Sequence, residues 1–422
     1  MRIYVEIYNM EFNIWIKNEE YGGINMNLNL SEKGLKISPS VTLEITAKAK
    51  AMKAEGIDVI GFGAGEPDFD TPENIRREGI RAIEEGLTRY TSASGIIELK
   101  KAICKKLKRD NGLDYNNNNI IISSGAKHSI YNALMAIINP GDEVIIGIPY
   151  WVSYPQMIKI AGGEPVYIQT KEENDFKFTV SDLNSVLTDK TKAIILNSPS
   201  NPTGAIYDKD ELKKIADWAV ENNIFVISDE IYERLVYDGE HISIASFNED
   251  IKRQTIVING MSKAYAMTGW RIGYAAAHED IVKVMSNLQS HTTSNPCSIS
   301  QYASVVGLLD DQSSVEEMKK QFEERRNYMA ETINSIEGLS CKKPKGAFYI
   351  MVNITQLKGK DIGGVKINNS LDFAKILLDK CKVAVIPGIG FGDDDYIRLS
   401  YATSMENIKE GLQRIKDVVE NV

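Results

Sequence analysis

Five short clusters in this sequence combine side chains that can do chemistry. They are Ser123-Ser124-Gly125-Ala126-Lys127, Pro149-Tyr150-Trp151, Asn197-Ser198-Pro199-Ser200-Asn201-Pro202-Thr203-Gly204, Ser228-Asp229-Glu230-Ile231-Tyr232 and Gly260-Met261-Ser262-Lys263. A lysine amine whose pKa is lowered in a pocket can attack a carbonyl and later serve as a base. Small residues opening a helix offer backbone N–H groups to a phosphate. One further cation, Arg398, lies between the apolar Ile397 and Leu399, and its planar fork suits a carboxylate better than a lysine would. Each cluster alone also has a plain structural explanation. Asp229 could cap a helix, Lys263 could be a solvated surface lysine, and Asn201-Pro202-Thr203-Gly204 could be only a turn.

What makes the clusters more than that is where the elements must put them. From Ile120 onward, short β-rich runs alternate with helix-length segments. The runs are Ile120–Ser123, Glu143–Ile146, Pro165–Ile168, Ala193–Leu196, Phe225–Ser228, Thr255–Ile258 and Ile272–Ala276, with helices such as Lys127–Ile138 and Lys209–Asn222 between them. This alternation predicts crossover units on a mostly parallel sheet flanked by helices. In open α/β sheets ligands bind beyond the carboxyl ends of the strands, and that is where each cluster falls. Ser313–Ser335, rich in Glu, Lys, Arg and Met and free of Gly and Pro, predicts a long connecting helix. Strands at Ala347–Val352, Val383–Ile386 and Tyr396–Ser400, with helices at Leu371–Lys380 and Glu406–Val419, predict a small α+β domain. A helix at Ser40–Glu55 is expected to pack on it.

The expected organisation has an extension at 1–37 outside the fold, a segment at 38–70 against the small domain, and a large domain at 71–312. The connecting helix at 313–335 and the small domain at 336–422 complete it. Met1 to Leu30 reads as a frayed extension or as the product of an upstream start, with Met26 as the true one. Of the 422 residues, 43% are hydrophobic and 25% charged, which excludes a disordered chain or a coiled coil. The formal charge of −9 argues against nucleic acid or an anionic membrane as a partner. No apolar stretch is long enough for a transmembrane helix or a signal peptide. Four scattered cysteines without a CxxC pair suggest neither a zinc site nor a disulfide framework, and fit a cytoplasmic protein. No metal is expected.

In order, these blocks resemble the fold-type I pyridoxal-phosphate (PLP) enzymes, and more closely the class I/II aminotransferases of the aspartate aminotransferase group of bacteria and archaea. Gly65-Glu66-Pro67-Asp68-Phe69, Pro149-Tyr150-Trp151-Val152-Ser153-Tyr154, Ser262-Lys263-Ala264-Tyr265-Ala266-Met267-Thr268-Gly269-Trp270-Arg271 and Arg398-Leu399-Ser400-Tyr401-Ala402 carry the likeness with Asn197 to Gly204. It runs from about Ser38 to the C-terminus. The resemblance implies an α/β fold, with a large PLP-binding domain and a small α+β domain, and a homodimer whose active sites are shared across the interface.

It also implies roles. Lys263 would hold pyridoxal 5'-phosphate as a Schiff base and act as the proton-transfer base. Asp229 would keep the pyridine nitrogen protonated, and Asn201 and Tyr232 would bond the ring hydroxyl oxygen. Trp151 would stack on the ring, with Tyr150 beside it as the alternative. Gly125, Ala126, Lys127, Ser262 and Arg271 would cup the phosphate, with Tyr90 reaching it from the neighbouring subunit. Gly260 stands where animal aspartate aminotransferases carry a serine, so one phosphate contact is expected to be missing or replaced. Arg398 and the backbone of Gly65 would bind the substrate carboxylate, with Trp151 and Asn201 also touching the substrate.

No arginine occurs between Arg271 and Arg325, so the residue that reads the distal carboxylate in animal enzymes is absent. Lys127 is the expected substitute, helped by Ser40 and Thr42, unless it serves only the phosphate side. The reaction implied moves the amino group of an acidic amino acid, aspartate foremost, to 2-oxoglutarate by ping-pong kinetics. Aromatic amino acids, alanine or prephenate as substrates, or lyase or synthase chemistry on the same fold, are the alternatives.

Overall fold

Runs of Ile, Val and Ala too apolar to face water set the centre of the molecule. In the computed structural model, which describes residues 30–35 and 37–420, they form a seven-stranded sheet. The expected extension lies largely outside the described residues; of it, Glu32–Leu35 forms a single helical turn.

Ile60–Gly61 is the first strand, β1. The large sheet comprises β2 (Ile120–Ser123), β3 (Glu143–Ile148), β4 (Glu164–Gln169), β5 (Thr191–Asn197), β6 (Phe225–Asp229), β7 (Thr255–Gly260) and β8 (Gly273–Ala276). Their order is β2-β8-β7-β6-β5-β3-β4, with every pairing parallel except the two that β8 makes. Successive residues serve opposite faces. On β5, Ile194 and Leu196 join one apolar cluster with Leu212, Ile215 and Ala216 of the helix Lys209–Glu221, while Ala193 and Ile195 join another with Ile130, Ala133 and Leu134 of the helix Ala126–Ile137. Burial on both faces is why these strands are continuously apolar rather than alternating. Asp208 starts its helix with a capping box, accepting from the Glu211 amide at 2.9 Å while Glu211 accepts from its own at 2.8 Å.

The second apolar centre gathers β9 (Tyr349–Asn353), β12 (Val383–Ala384), β13 (Ile386–Pro387) and β14 (Tyr396–Ser400) with the helices Ser370–Cys381 and Met405–Glu420. Between β9 and β12 lies a short hairpin, β10 (Asp361–Ile362) and β11 (Val365–Lys366). The long helix Ser313–Ile333 contributes Phe322, Met329 and Ile333 to this core. The helix Val41–Ala54 packs Ala49 against Leu378 and Ala384.

Two expected strands differ. Val383–Ile386 is split, because Val383 and Ala384 pair in parallel with β1 whereas Ile386 and Pro387 pair antiparallel with β14. Ala347–Val352 begins only at Tyr349, since Ala347 takes a left-handed φ of 59° that cannot extend a strand. No described helix is long and apolar enough to cross a membrane.

Candidate active site

The carboxyl ends of β2, β3, β5, β6 and β7 open on one edge of the large sheet because these strands run the same way. β8 runs against them, so Arg271, two residues ahead of its start, comes to that same edge.

Asp229 ends β6 with 4% exposure. The Tyr154 hydroxyl donates to its Oδ2 at 2.7 Å and the Ile231 amide to Oδ1 at 3.3 Å. Burial pushes this carboxyl up to about 6 even though the Tyr154 bond opposes the rise. Lys263 follows β7, and its amine donates to the Gly65 carbonyl at 2.5 Å. That amine lies 5.9 Å from the ring centre of Tyr232 and 5.8 Å from that of Phe348. Burial brings it down to about 8, with Glu66 opposing and the positive charges of Arg398 and Arg271 adding to the fall. The Tyr232 hydroxyl sits 2.9 Å from that of Tyr349, and burial holds the Tyr232 phenol well above its ordinary pKa.

Arg398, on β14, is 2% exposed. Its Nη1 donates to Asn201 Oδ1 at 3.0 Å and its Nη2 to the Gly63 carbonyl at 2.9 Å. The buried Nε finds no acceptor among the described residues. The guanidinium lies over the rings of Tyr349 and Phe391 at 4.3 and 5.0 Å, which hold its plane. Asn201 is fixed in turn, its amide donating to Asn197 Oδ1 at 2.8 Å.

Gly125, at φ 92°, opens the helix Ala126–Ile137, whose first amides have no intrahelical acceptor. Arg271, itself at a left-handed φ of 59°, donates to the carbonyls of Thr268 at 2.9 Å and Ser124 at 3.1 Å. A Cβ on Gly125 would lie 2.2 Å from Arg271 Nη2, so the glycine admits the arginine. Ser262 is buried beside Lys263. Lys127 places its amine 4.9 Å from the Trp151 ring centre, and burial, with Arg271 adding, lowers its pKa.

Trp151 and Tyr150 take different surroundings. The Trp151 ring meets Tyr154, the Asp229 donor, edge to face at 5.3 Å. Tyr150 bonds its amide to the Phe391 carbonyl at 3.1 Å and packs beside Tyr167. Gly260 also gains a physical reason: a Cβ there would come within 2.8 Å of the Ile272 carbonyl oxygen and 2.9 Å of Gly273 Cα. Three expected residues stand apart from the cluster. Tyr90 is 91% exposed, and the hydroxyls of Ser40 and Thr42 bond each other at 2.9 Å rather than any residue of the site.

Tyr154, Tyr349 and Gly63 join the site without having been expected there. Tyr154 had a signal, as a hydroxyl three residues beyond Trp151 within an already recognised block. Tyr349 and Gly63 had none, because only the folding of β9 and the segment after β1 onto the strand ends brings them in. Chemically, the assembled set can condense with a carbonyl through Lys263, hold a cationic ring nitrogen against Asp229, cup a dianion between Gly125 and Arg271, and take a carboxylate on Arg398.

Comparison with known proteins gives the same grouping. The family described as aminotransferase class I and II matches residues 57–415. The aspartate aminotransferase of Bacillus sp. strain YM-2 is 53% identical over 380 residues, covering 90% of this chain and 96% of the relative. The crystal structure of the aspartate aminotransferase from Rhizobium meliloti superposes with a TM-score of 0.90 at 42% identity, covering 93% of this chain and 99% of that one. Aspartate aminotransferase from Thermus thermophilus with maleate gives 0.88 at 38% identity, covering 93% and 100%. With a match over most of its length and the strand-end cluster in place, the chain belongs to the class I and II aminotransferases.

Proposed function

We propose that this aminotransferase holds pyridoxal 5'-phosphate on Lys263 and moves the amino group of aspartate to 2-oxoglutarate in two half-reactions, giving ping-pong kinetics. The observation that carries the reading is a buried amine near pKa 8 in one cluster with a buried arginine whose Nε–H has no acceptor. Leaving such a donor unmet costs about 1–3 kcal/mol, so it is best understood as reserved for a ligand carboxylate.

The residues fit the cofactor at each of its groups: an amine for the aldehyde, a carboxylate for the ring nitrogen, and an arginine beside a glycine-opened helix for the phosphate. When bound, the cofactor supplies a carbonyl that captures the amino group and a cationic ring that accepts electrons from the α-carbon. Asp229 holds a proton on the ring nitrogen, and Tyr154 fixes the carboxylate that does so. Asn201 and Tyr232 bond the ring hydroxyl oxygen, while Trp151 covers the ring face. Gly125, Ala126, Ser262 and Arg271 hold the phosphate. Arg398 and Gly65 orient the substrate α-carboxylate, placing the α-proton within reach of the Lys263 amine. That amine takes the proton with its Nζ.

For the distal carboxylate we assign Lys127, whose amine lies 4.9 Å from the Trp151 ring centre and within the field of Arg271. A solved relative that carries maleate, a dicarboxylate, supports an acidic substrate. Ser40 and Thr42 support that end in this reading. Tyr90, 91% exposed, is assigned to the phosphate of a second subunit, and the exposed Ile80, Ile83 and Ile97 are apolar surface such a partner would cover. A cytoplasmic homodimer with the five-segment organisation given above completes the proposal.

Two variants test it. Lys263→Ala should lose the visible absorbance band that appears on adding pyridoxal 5'-phosphate, and turnover of aspartate with 2-oxoglutarate should fall about 10³-fold. An unchanged band with normal turnover would refute the lysine assignment. Across a panel of amino donors, Lys127→Ala should raise KM for aspartate while sparing alanine and aromatic donors. An unaltered preference for aspartate would return Lys127 to the phosphate side alone.

A further inference from the structure

Asp229 and Tyr232 alternate with two other acids, Glu230 and Glu233, whose side chains are buried. Glu230 Oε1 accepts from Ser228 Oγ at 2.8 Å and from Ser243 Oγ at 2.6 Å, and its Oε2 lies 3.0 Å from His241 Nε2. Glu233 bonds the Lys106 amine directly and accepts from Asn111 Nδ2 at 2.9 Å, with His241 Nε2 4.0 Å away. Lys106, an amine on the helix Ile97–Asn111, is only 2% exposed and also donates to Asn111 Oδ1 at 2.7 Å. Burial alone would raise the Glu233 carboxyl, yet Lys106 and His241 bring it down to about 2, so this acid is ionised.

A buried ion cluster gives little net stability compared with apolar packing of the same volume. What it gives here is attachment. The segment 230–233 is not a regular strand or helix; Glu230 N donates to the Ile258 carbonyl and Glu233 N to the Glu230 carbonyl, both at 2.9 Å, the Tyr232 carbonyl accepts from Leu235 N at 2.8 Å, and Ile231 N donates to Asp229 Oδ1 at 3.3 Å. The two acids add side-chain ties to three other places in the fold: Ser228 of β6, the 241–243 loop and the helix bearing Lys106. Asp229 and Tyr232 have other partners, Tyr154 for the carboxylate and Tyr349 for the phenol.

We infer that Lys106, Glu230, Glu233 and His241 are positioning residues, a buried charged clamp on the reverse of the Asp229–Tyr232 turn that fixes both side chains against the cofactor. The inference rests on the cofactor assignment proposed above. The clamp also places charge behind Asp229, negative at Glu230 and positive at Lys106. Other groups face it: Asp110 lies 3.9 Å from Lys106 and 3.6 Å from Arg234, and the phenols of Tyr115, Tyr265 and Tyr274 and the guanidinium of Arg109 are within reach of the fields of Glu230 or Glu233. They remain in every variant below, so differences report on the clamp.

The test uses the full chain loaded with pyridoxal 5'-phosphate and follows the bound cofactor's visible absorbance against pH, alongside its dissociation constant. Glu230→Gln removes a negative charge, so protons leave the cofactor more easily and the titration midpoint should fall by about half a pH unit. Lys106→Met removes a positive charge, and the midpoint should rise by about as much. Lys106→Met/Glu233→Gln removes both partners of the ion pair and avoids an uncompensated buried charge. Its midpoint should stay near that of the unaltered chain while cofactor dissociation becomes about tenfold easier, the signature of lost placement.

Opposite shifts in the single variants together with weakened cofactor binding in a folded double variant support the clamp. Unmoved midpoints, shifts in one common direction, or a folded double variant that binds as tightly as the parent overturn it. A parent chain that develops no absorbance band at all overturns the cofactor assignment itself, and the clamp with it.

Discussion

Burial acts on Lys263 and Asp229 in opposite directions, bringing the amine from 10.5 down to about 8 and the carboxyl from 3.8 up to about 6. For the lysine this makes a nucleophile: near neutral pH a useful fraction of the amine is free. In the cofactor-free chain, the rate at which pyridoxal 5'-phosphate becomes trapped on Lys263 by borohydride should rise through about pH 8, read by mass spectrometry of the modified peptide. A rise confined to pH values near 10 would contradict it. For Asp229 the sign is unfavourable to stability. The folded chain binds an extra proton between about pH 4 and 6, so stability falls across that window and the loss persists above it. Asp229→Asn should therefore stabilise the cofactor-free chain at pH 7.5 by about 3 kcal/mol in denaturant unfolding, while transamination collapses. An ionised carboxylate at this place is held against the fold's preference, the pattern expected of a residue kept for chemistry.

The elements convert a sequence order into a shared edge. Parallel β2, β3, β5, β6 and β7 deliver their trailing residues to the same side, and β8 returns Arg271 there because it alone runs backwards. The join between β8 and the helix Ala126–Ile137 leaves no slack. A Cβ on Gly273 would lie 2.2 Å from the Ala126 nitrogen and 2.3 Å from the Gly125 carbonyl carbon, both backbone atoms that cannot swing aside. Gly273→Ala should thus push the start of the helix Ala126–Ile137 away from the strand, destabilising the chain by about 1–3 kcal/mol and weakening cofactor binding together. A variant with parental thermal midpoint and cofactor affinity would show that the helix start can shift freely.

At the scale of the whole molecule, two apolar cores meet at the site: Lys263 and Asp229 come from the large sheet, and Arg398 and Tyr349 from the small one. The second-subunit role of Tyr90 is tested at this scale. Light scattering should give the mass of two chains, and Tyr90→Phe should keep that mass while releasing the cofactor about tenfold more readily. A monomer with full cofactor affinity would refute the shared site.

The sequence by itself determined the strand-end clusters, because apolar runs long enough for a buried strand and the polar residues ending them are both written locally. It also carried Lys263, Asp229, Asn201, Arg271 and Arg398 through one ordered resemblance. Only the tertiary structure gave Trp151 and Tyr150 their different neighbours, supplied Tyr154, Tyr349 and Gly63, and split the strand around Val385. It likewise explained Gly260 by the backbone of Ile272 and Gly273 beside it. These depend on contacts between residues far apart in the chain. Local pattern encodes which face is apolar, but not which distant backbone or hydroxyl will meet it.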